Sequence, residues 1–272
     1  MPRKFLVTAL ALIVATALVG VAYAANVYNI TVGSTSPAGK GSKSKPLPVS
    51  EKFGYTVKDS TQPRGKPVTK YKIAIEGITN KYAKHFPKCK YADANGADYA
   101  TKCAKAKFGS GKVENLAGPN NDQSNNTFCN LGLVLYNLGN GVAIRLDGGP
   151  PAPSSQSGPV GCLLAVHQAI NAKFKTVTID KESSTSLEFT VPRNLRHPLP
   201  KDAQGNETFD NVVANTVANI KKKVTKVKIK GKKRKVGLYS AIGCHGKNRT
   251  VKVTFTDETP KSSTYTKKTK KC

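Results

Sequence analysis

The chain has 272 residues, with 44 Lys and Arg against 16 Asp and Glu, and a net charge of +28. Only seven of the cations are arginine, and tryptophan is absent. That argues against specific nucleic-acid readout, which needs arginine forks and aromatic stacking platforms.

The first stretch, MPRKFLVTALALIVATALVGVAYAA, has Arg3 and Lys4, an apolar run from Phe5 to Val21, and Ala22-Tyr23-Ala24. This is the anatomy of a secretory signal peptide, residues 1–24, read as a signal helix removed after Ala24. The alternative is an uncleaved anchor, because the run approaches the spanning length of about 20 residues. No second run of that length occurs, so no membrane span is expected after cleavage. Losing Arg3 and Lys4 would leave about +26.

Strand-like alternation dominates the remainder of the chain. Candidate strands are NVYNITVGS (26–34), VSEKFGYTV (49–57), YKIAIEGI (71–78), GSGKVENL (109–116) and SLEFTV (186–191). Tyr71, Ile73 and Ile75 fall on one face, the pattern of a half-buried strand. One short helix is expected over 97–107. Leu131, Leu133 and Leu135, then Gly139-Asn140-Gly141, then Val142, Ile144 and Leu146 spell a hairpin whose turn tolerates positive φ. GCLLAVHQAI (161–170) reads as a further strand. The stretch 212–230 fits both a helical stripe and a strand, and its β-branched content favours strand. KGKKRK (230–235) then turns the chain into VGLYSAIGC, and RTVKVTFTDE (249–258) alternates Val251, Val253 and Phe255. Many short strands joined by Gly-, Pro-, Ser- and Asn-rich loops predict a mainly β chain. The expected architecture is an antiparallel immunoglobulin-like β-sandwich with long loops. It would occupy 25–256, with a subdivision near 116–127 as an alternative, and 257–272 would be a basic tail.

Six cysteines, Cys89, Cys103, Cys129, Cys162, Cys244 and Cys272, all lie after the signal segment. An even count in an exported chain reads as disulfides. None forms a C-x-x-C pair, which disfavours zinc and dithiol redox sites. Sequential pairing is the simplest scheme, and a nested one such as Cys89–Cys162 is the alternative. Cys272 would then staple the tail to Cys244.

HFPKC (85–89), then Cys103, then KFGSGKV (107–113), together with GLYSAIGC, VKVTFT and a closing cysteine, resemble exported proteins of high-GC Gram-positive (actinobacterial) bacteria. The likeness spans most of the chain after the signal segment. Lys102-Cys103 departs from it, where a Cys-Pro pair would be expected. The resemblance implies a secreted β-sandwich and carries no established activity.

Chemical motifs are few. There is no G-x-S-x-G elbow or H-E-x-x-H helix, and Gly109-Ser110-Gly111-Lys112 lacks the frame of a phosphate loop. No cofactor is expected. His167 falls in a strand and suits a core position, while His85, His197 and His245 fall in loops. Asp147, Asp180, Glu182 and Glu188 are the carboxylates that a secreted polysaccharide-cleaving enzyme would need to pair; solvated charges offsetting lysines are the simpler reading. PNNDQSNN (119–126) offers oxygens for calcium but lacks EF-hand spacing, and reads as a turn.

The remaining candidate is charge. IKKKVTKVKIKGKKRK (220–235) carries Lys221, Lys222, Lys223, Lys226, Lys228, Lys230, Lys232, Lys233, Arg234 and Lys235, and the end of the chain adds Lys267, Lys268, Lys270 and Lys271. If Cys272 is bonded to Cys244, these cations are expected to form one patch for an anionic cell-wall polymer or acidic glycan. A solvated, lysine-rich surface that keeps an exported protein soluble and blunts a sheet edge is the simpler reading. The expected protein is a secreted, non-enzymatic binding or structural protein of the cell envelope, with a polysaccharide enzyme or a general polyanion binder as alternatives.

Overall fold

Alternating apolar residues commit most of the chain to strands with one wet and one dry face. The computed structural model describes residues 26–269 and Cys272. The expected signal peptide lies outside the described residues, as do Lys270 and Lys271. In chain order the elements are β1 (Asn26–Ser36), β2 (Leu47–Pro48), β3 (Ser50–Asp59), β4 (Val68–Ile75), β5 (Ile78–Thr79), α1 (Tyr91–Asn95) and α2 (Tyr99–Lys102). Next come β6 (Lys107–Pro119), β7 (Thr127–Asn137), β8 (Gly141–Gly148), β9 (Val166–Ile179), β10 (Glu182–Thr190), α3 (Arg193–Arg196) and β11 (Phe209–Ile220). The last are β12 (Val224–Ile229), β13 (Lys232–Gly237), β14 (Ser240–Ala241), β15 (Thr250–Asp257) and β16 (Ser262–Lys268).

Eleven strands join in one antiparallel sheet, in the order β1-β3-β11-β6-β7-β8-β9-β10-β4-β15-β16. The expected immunoglobulin-like sandwich needs two facing sheets. Here the long strands instead curl one sheet almost into a barrel, and its two edges meet. Tyr28 of β1 stacks on Phe255 of β15 with ring centroids 4.2 Å apart and lies 5.3 Å from Tyr265 of β16. The β1–β3 register slips between Asn29 and Val32. Lys267 Nζ of β16 reaches across the seam to donate to the carbonyls of Ile30 at 2.7 Å and Thr31 at 2.9 Å. Residues 262–268 are thus the closing strand of the sheet rather than a loose tail.

Inward residues recur at every second position: Phe53, Tyr55 and Val57 on β3, Leu131, Leu133 and Leu135 on β7, and Val251, Val253 and Phe255 on β15, all buried in one core. A three-stranded sheet, β2-β14-β5, plugs the end where β3 begins and β11 stops. Tyr239 packs there against Phe108 and Phe174, with centroids 5.9 and 6.4 Å away. Arg249, buried, ties the plug together by donating to the carbonyl oxygens of Glu76 at 2.8 Å and Gly39 at 2.6 Å, and to that of Gly243.

The cysteines pair sequentially, Cys89–Cys103, Cys129–Cys162 and Cys244–Cys272, with Cα separations of 5.1, 4.1 and 6.3 Å. The first pair brackets α1 and α2. These two short helices replace the single helix expected over 97–107. They cover the outer face of the barrel where Tyr136, Ala143 and Ala169 form a second small cluster. The second pair pins the 149–165 loop to β7, so residues 161–165, expected in a strand, precede β9 instead. Stretch 116–127 is the β6–β7 connection within the one sheet. Gly139 (φ +90°) makes the expected tight turn between β7 and β8.

Candidate functional site

The strongest concentration of charge lies on a separate two-stranded ribbon, β12–β13. It leaves the plugged end of the barrel, after Ile220 pairs with Glu51 of β3. A two-residue turn, Lys230-Gly231, closes it, with φ of 47° and 76°. Such turns match the twist of the flanking strands, and the glycine takes positive φ without steric cost. The 230–235 segment, expected as a turn, is mostly strand.

Pairing sorts the cations by face. Lys226 lies opposite Lys235, and Lys228 opposite Lys233. Directly opposed residues share a face, so these four lysines form two rungs on one side, all exposed. The other side carries Val227 and Ile229, half-buried against the main core, with Arg234 opposite Val227 and Lys232 opposite Ile229. Like charges placed directly across a strand pair are destabilising. No described carboxylate forms an ion pair with any of the four. Successive rungs are two residues apart, or about 6.8 Å at the usual strand rise. The ribbon therefore presents a short ladder of unneutralised charge.

The other members of the expected patch divide. Lys221, Lys222 and Lys223 are exposed in the link into β12, and Lys230 is exposed at the turn. Lys267 is committed to the seam, because its ammonium satisfies carbonyls at the bulge in β1. Lys268 pairs with Asp180 at 2.9 Å. Neither is a free charge for a ligand. Lys270 and Lys271 lie outside the described residues. The Cys244–Cys272 bond does draw the chain end back to the plugged end, where Cys272 N donates to Lys247 O at 2.7 Å.

Three of the four carboxylates considered for catalysis, Asp147, Asp180 and Glu188, are held by basic or hydroxyl partners, and Glu182 begins β10 opposite Ile179. Asp147 accepts from Arg145 Nε at 2.9 Å and sits 3.1 Å from His167 Nδ1. Burial raises its pKa, but the Arg145 and His167 hydrogen bonds outweigh that and leave it below the usual range. Glu188 bridges Lys72 and Lys175, both at 3.3 Å. Hydrogen bonds from Thr250 and Lys268 pull Asp180 down. His167 is exposed on the outer face rather than in the core. His197, expected in a loop, is buried just after α3. Its Nε2 lies 2.6 Å from Glu258 and its Nδ1 3.0 Å from Asp210. In loop 119–126, the carbonyls of Asn125 and Asp122 accept from Arg64 at 3.2 and 2.9 Å, and that of Pro119 does so too. The cation those oxygens gather around is a buried guanidinium.

Sequence reasoning passed over the polar groups inside the barrel. Glu51, Asn115 and Asn211 all line its interior. Glu51 shares the parity of Phe53 and Tyr55 in VSEKFGYTV, so its inward direction was legible. Burial pushes its pKa up to about 8, against the opposing pull of Arg249. Among the described residues, no helix is long and apolar enough to cross a membrane. Compared with protein-family models, with curated proteins and with solved structures, the chain matches none.

Proposed function

We propose that the protein is secreted and held at an anionic cell surface by its lysine ribbon, where it serves as a non-enzymatic binding or structural protein. The observation that carries this reading is the pair of opposed lysine rungs, Lys226–Lys235 and Lys228–Lys233, with no ion-paired carboxylate. A polymer with regularly spaced negative charges relieves their repulsion and releases its own counterions on binding. Three disulfides suit an oxidising, extracytoplasmic compartment. The resemblance to exported actinobacterial proteins would make the surface that of a Gram-positive envelope, where teichoic-type phosphate polymers supply the charge.

Binding to a glycerol-phosphate polymer should weaken steeply with salt. Four engaged lysines give a log–log slope of about −3, by analogy with flexible single strands at about 0.7 per charge. A Lys226→Gln/Lys228→Gln variant should lower that slope by about 1.4. A salt wash of the native host should release the protein below 1 M salt. Attachment that survives 1 M salt, or an unchanged slope in the variant, overturns the reading. Equal affinity for duplex DNA would replace it with a general polyanion binder.

A further inference from the structure

Eleven strands enclose more space than their inward side chains fill. Small eight-stranded barrels are packed solid, whereas wider ones leave room for a ligand or channel. A cavity of about 150 Å³ lies within this barrel. Its wall is mainly apolar, with Phe53, Tyr71, Leu133, Ile144 and Leu187 among its lining residues. One end is shut by Tyr239 and the three-stranded plug. The other is roofed by α3, whose Leu195 and Arg196 line the same space. That roof is fastened by Asn211 Nδ2 donating to Leu195 O at 2.8 Å, and by His197 between Asp210 and Glu258.

Among the polar side chains in this wall, the carboxyl and amide oxygens Glu51 Oε1, Asn115 Oδ1 and Asn211 Oδ1 have no hydrogen-bond partner in the protein, and neither do the hydroxyls of Tyr71 and Thr216. Glu51, Asn115 and Asn211 are 6, 3 and 9 % exposed. A buried polar atom left unpaired is destabilising, and an apolar residue of similar size would avoid that cost. Glu51 stands near the plugged end, where β3 meets Ile220, and Asn211 near the other, where β11 meets Ala117.

We infer that the barrel interior is a binding site for a small, uncharged, mainly apolar molecule that carries a hydroxyl or N–H group to donate to Glu51 Oε1 or Asn115 Oδ1, the amide of Asn211 being committed to the roof. The volume sets the size: an engineered cavity of about 150 Å³ accepts benzene, so a single substituted ring or a short branched alcohol fits. A charged molecule is excluded by a wall without a free countercharge of either sign beyond Glu51. This inference is independent of the lysine ribbon, which lies outside the barrel.

The probes are 4-methylphenol and toluene, which differ by one hydroxyl. Calorimetry and the methyl NMR spectrum of the full disulfide-bonded protein read binding. Binding of 4-methylphenol should be at least tenfold tighter than that of toluene, with shifts confined to cavity methyls such as Leu133 and Ile144. In Asn115→Leu, Glu51→Leu and the double variant, unpaired polar atoms give way to apolar ones, so these proteins are expected to fold at least as stably. The preference for 4-methylphenol should shrink in one single variant and vanish in the double variant, with toluene affinity kept or raised. Absence of binding by both probes overturns the inference, as does a hydroxyl preference that survives in the double variant.

Discussion

Replacing Glu51 with glutamine should change how stability depends on pH. The carboxyl lies in the barrel wall, and burial lifts its pKa from 4.5 to about 8, with Arg249 opposing the shift. Between those values the native protein keeps a proton that the unfolded chain has released. Stability therefore falls as pH rises through that window and levels off above about pH 8. Each unit of separation is worth ~1.4 kcal/mol, so the loss across the window is on the order of 4–5 kcal/mol. Glu51→Gln keeps the size and a hydrogen-bonding amide but cannot ionise. Urea melts of both proteins at half-unit steps from pH 5 to pH 9 isolate the effect, because every other titrating group is common to the two. The difference in unfolding free energy should grow steadily in favour of the variant and then plateau. Parallel stability curves across the whole range would refute the buried, protonated state of Glu51.

Three further outcomes depend on particular side chains. Cys272→Ala should leave one titratable thiol, Cys244, in the oxidised protein. It should also cost about 3–4 kcal/mol, the chain-entropy value for a loop with a sequence separation of 28; thiol titration and melts check both. Lys267→Met should destabilise by about 0.5–1.5 kcal/mol, since it removes a donor from two partly exposed carbonyls at the seam, yet leave the salt slope of polymer binding unchanged. The ribbon variants should do the reverse, so the same two assays separate structural from ligand-facing lysines. Arg249→Met should cost about 3–5 kcal/mol, because the carbonyls of Glu76, Gly243 and Gly39 lose a buried charged donor and the buried Glu76 carboxylate loses its nearby countercharge; circular dichroism melts read it.

Much of the local structure is legible in the sequence because strand alternation is a local signal. Leu131, Leu133 and Leu135, and Val251, Val253 and Phe255, face inward as their parity predicts. Parity cannot tell a sandwich from a barrel, since each strand has one dry face in both. What decides is which strands pair, and β11 inserting between β3 and β6 joins residues 90 or more positions apart. His197 shows the same limit. Its burial depends on Asp210 and on Glu258, 61 residues away, and nothing near it marks the site. Composition identified the lysine run, but only the pairing register divides it into an outward ladder and an inward face. Lys267 looked like one more tail cation because the carbonyls it serves belong to the first strand.

That seam also imposes an order on events. β1 and β16 are drawn from opposite ends of the described chain, so the ring cannot close until residue 268 has been synthesised. Until then the sheet carries two open edges, each a template for another chain. Pairings this distant are slow to form. The bond between Cys244 and Cys272 comes later still, since Cys272 follows β16 in the chain. A chain lacking β16 would be the aggregation-prone form, and the one in which β16 lies against β1, held by Lys267, the form that persists.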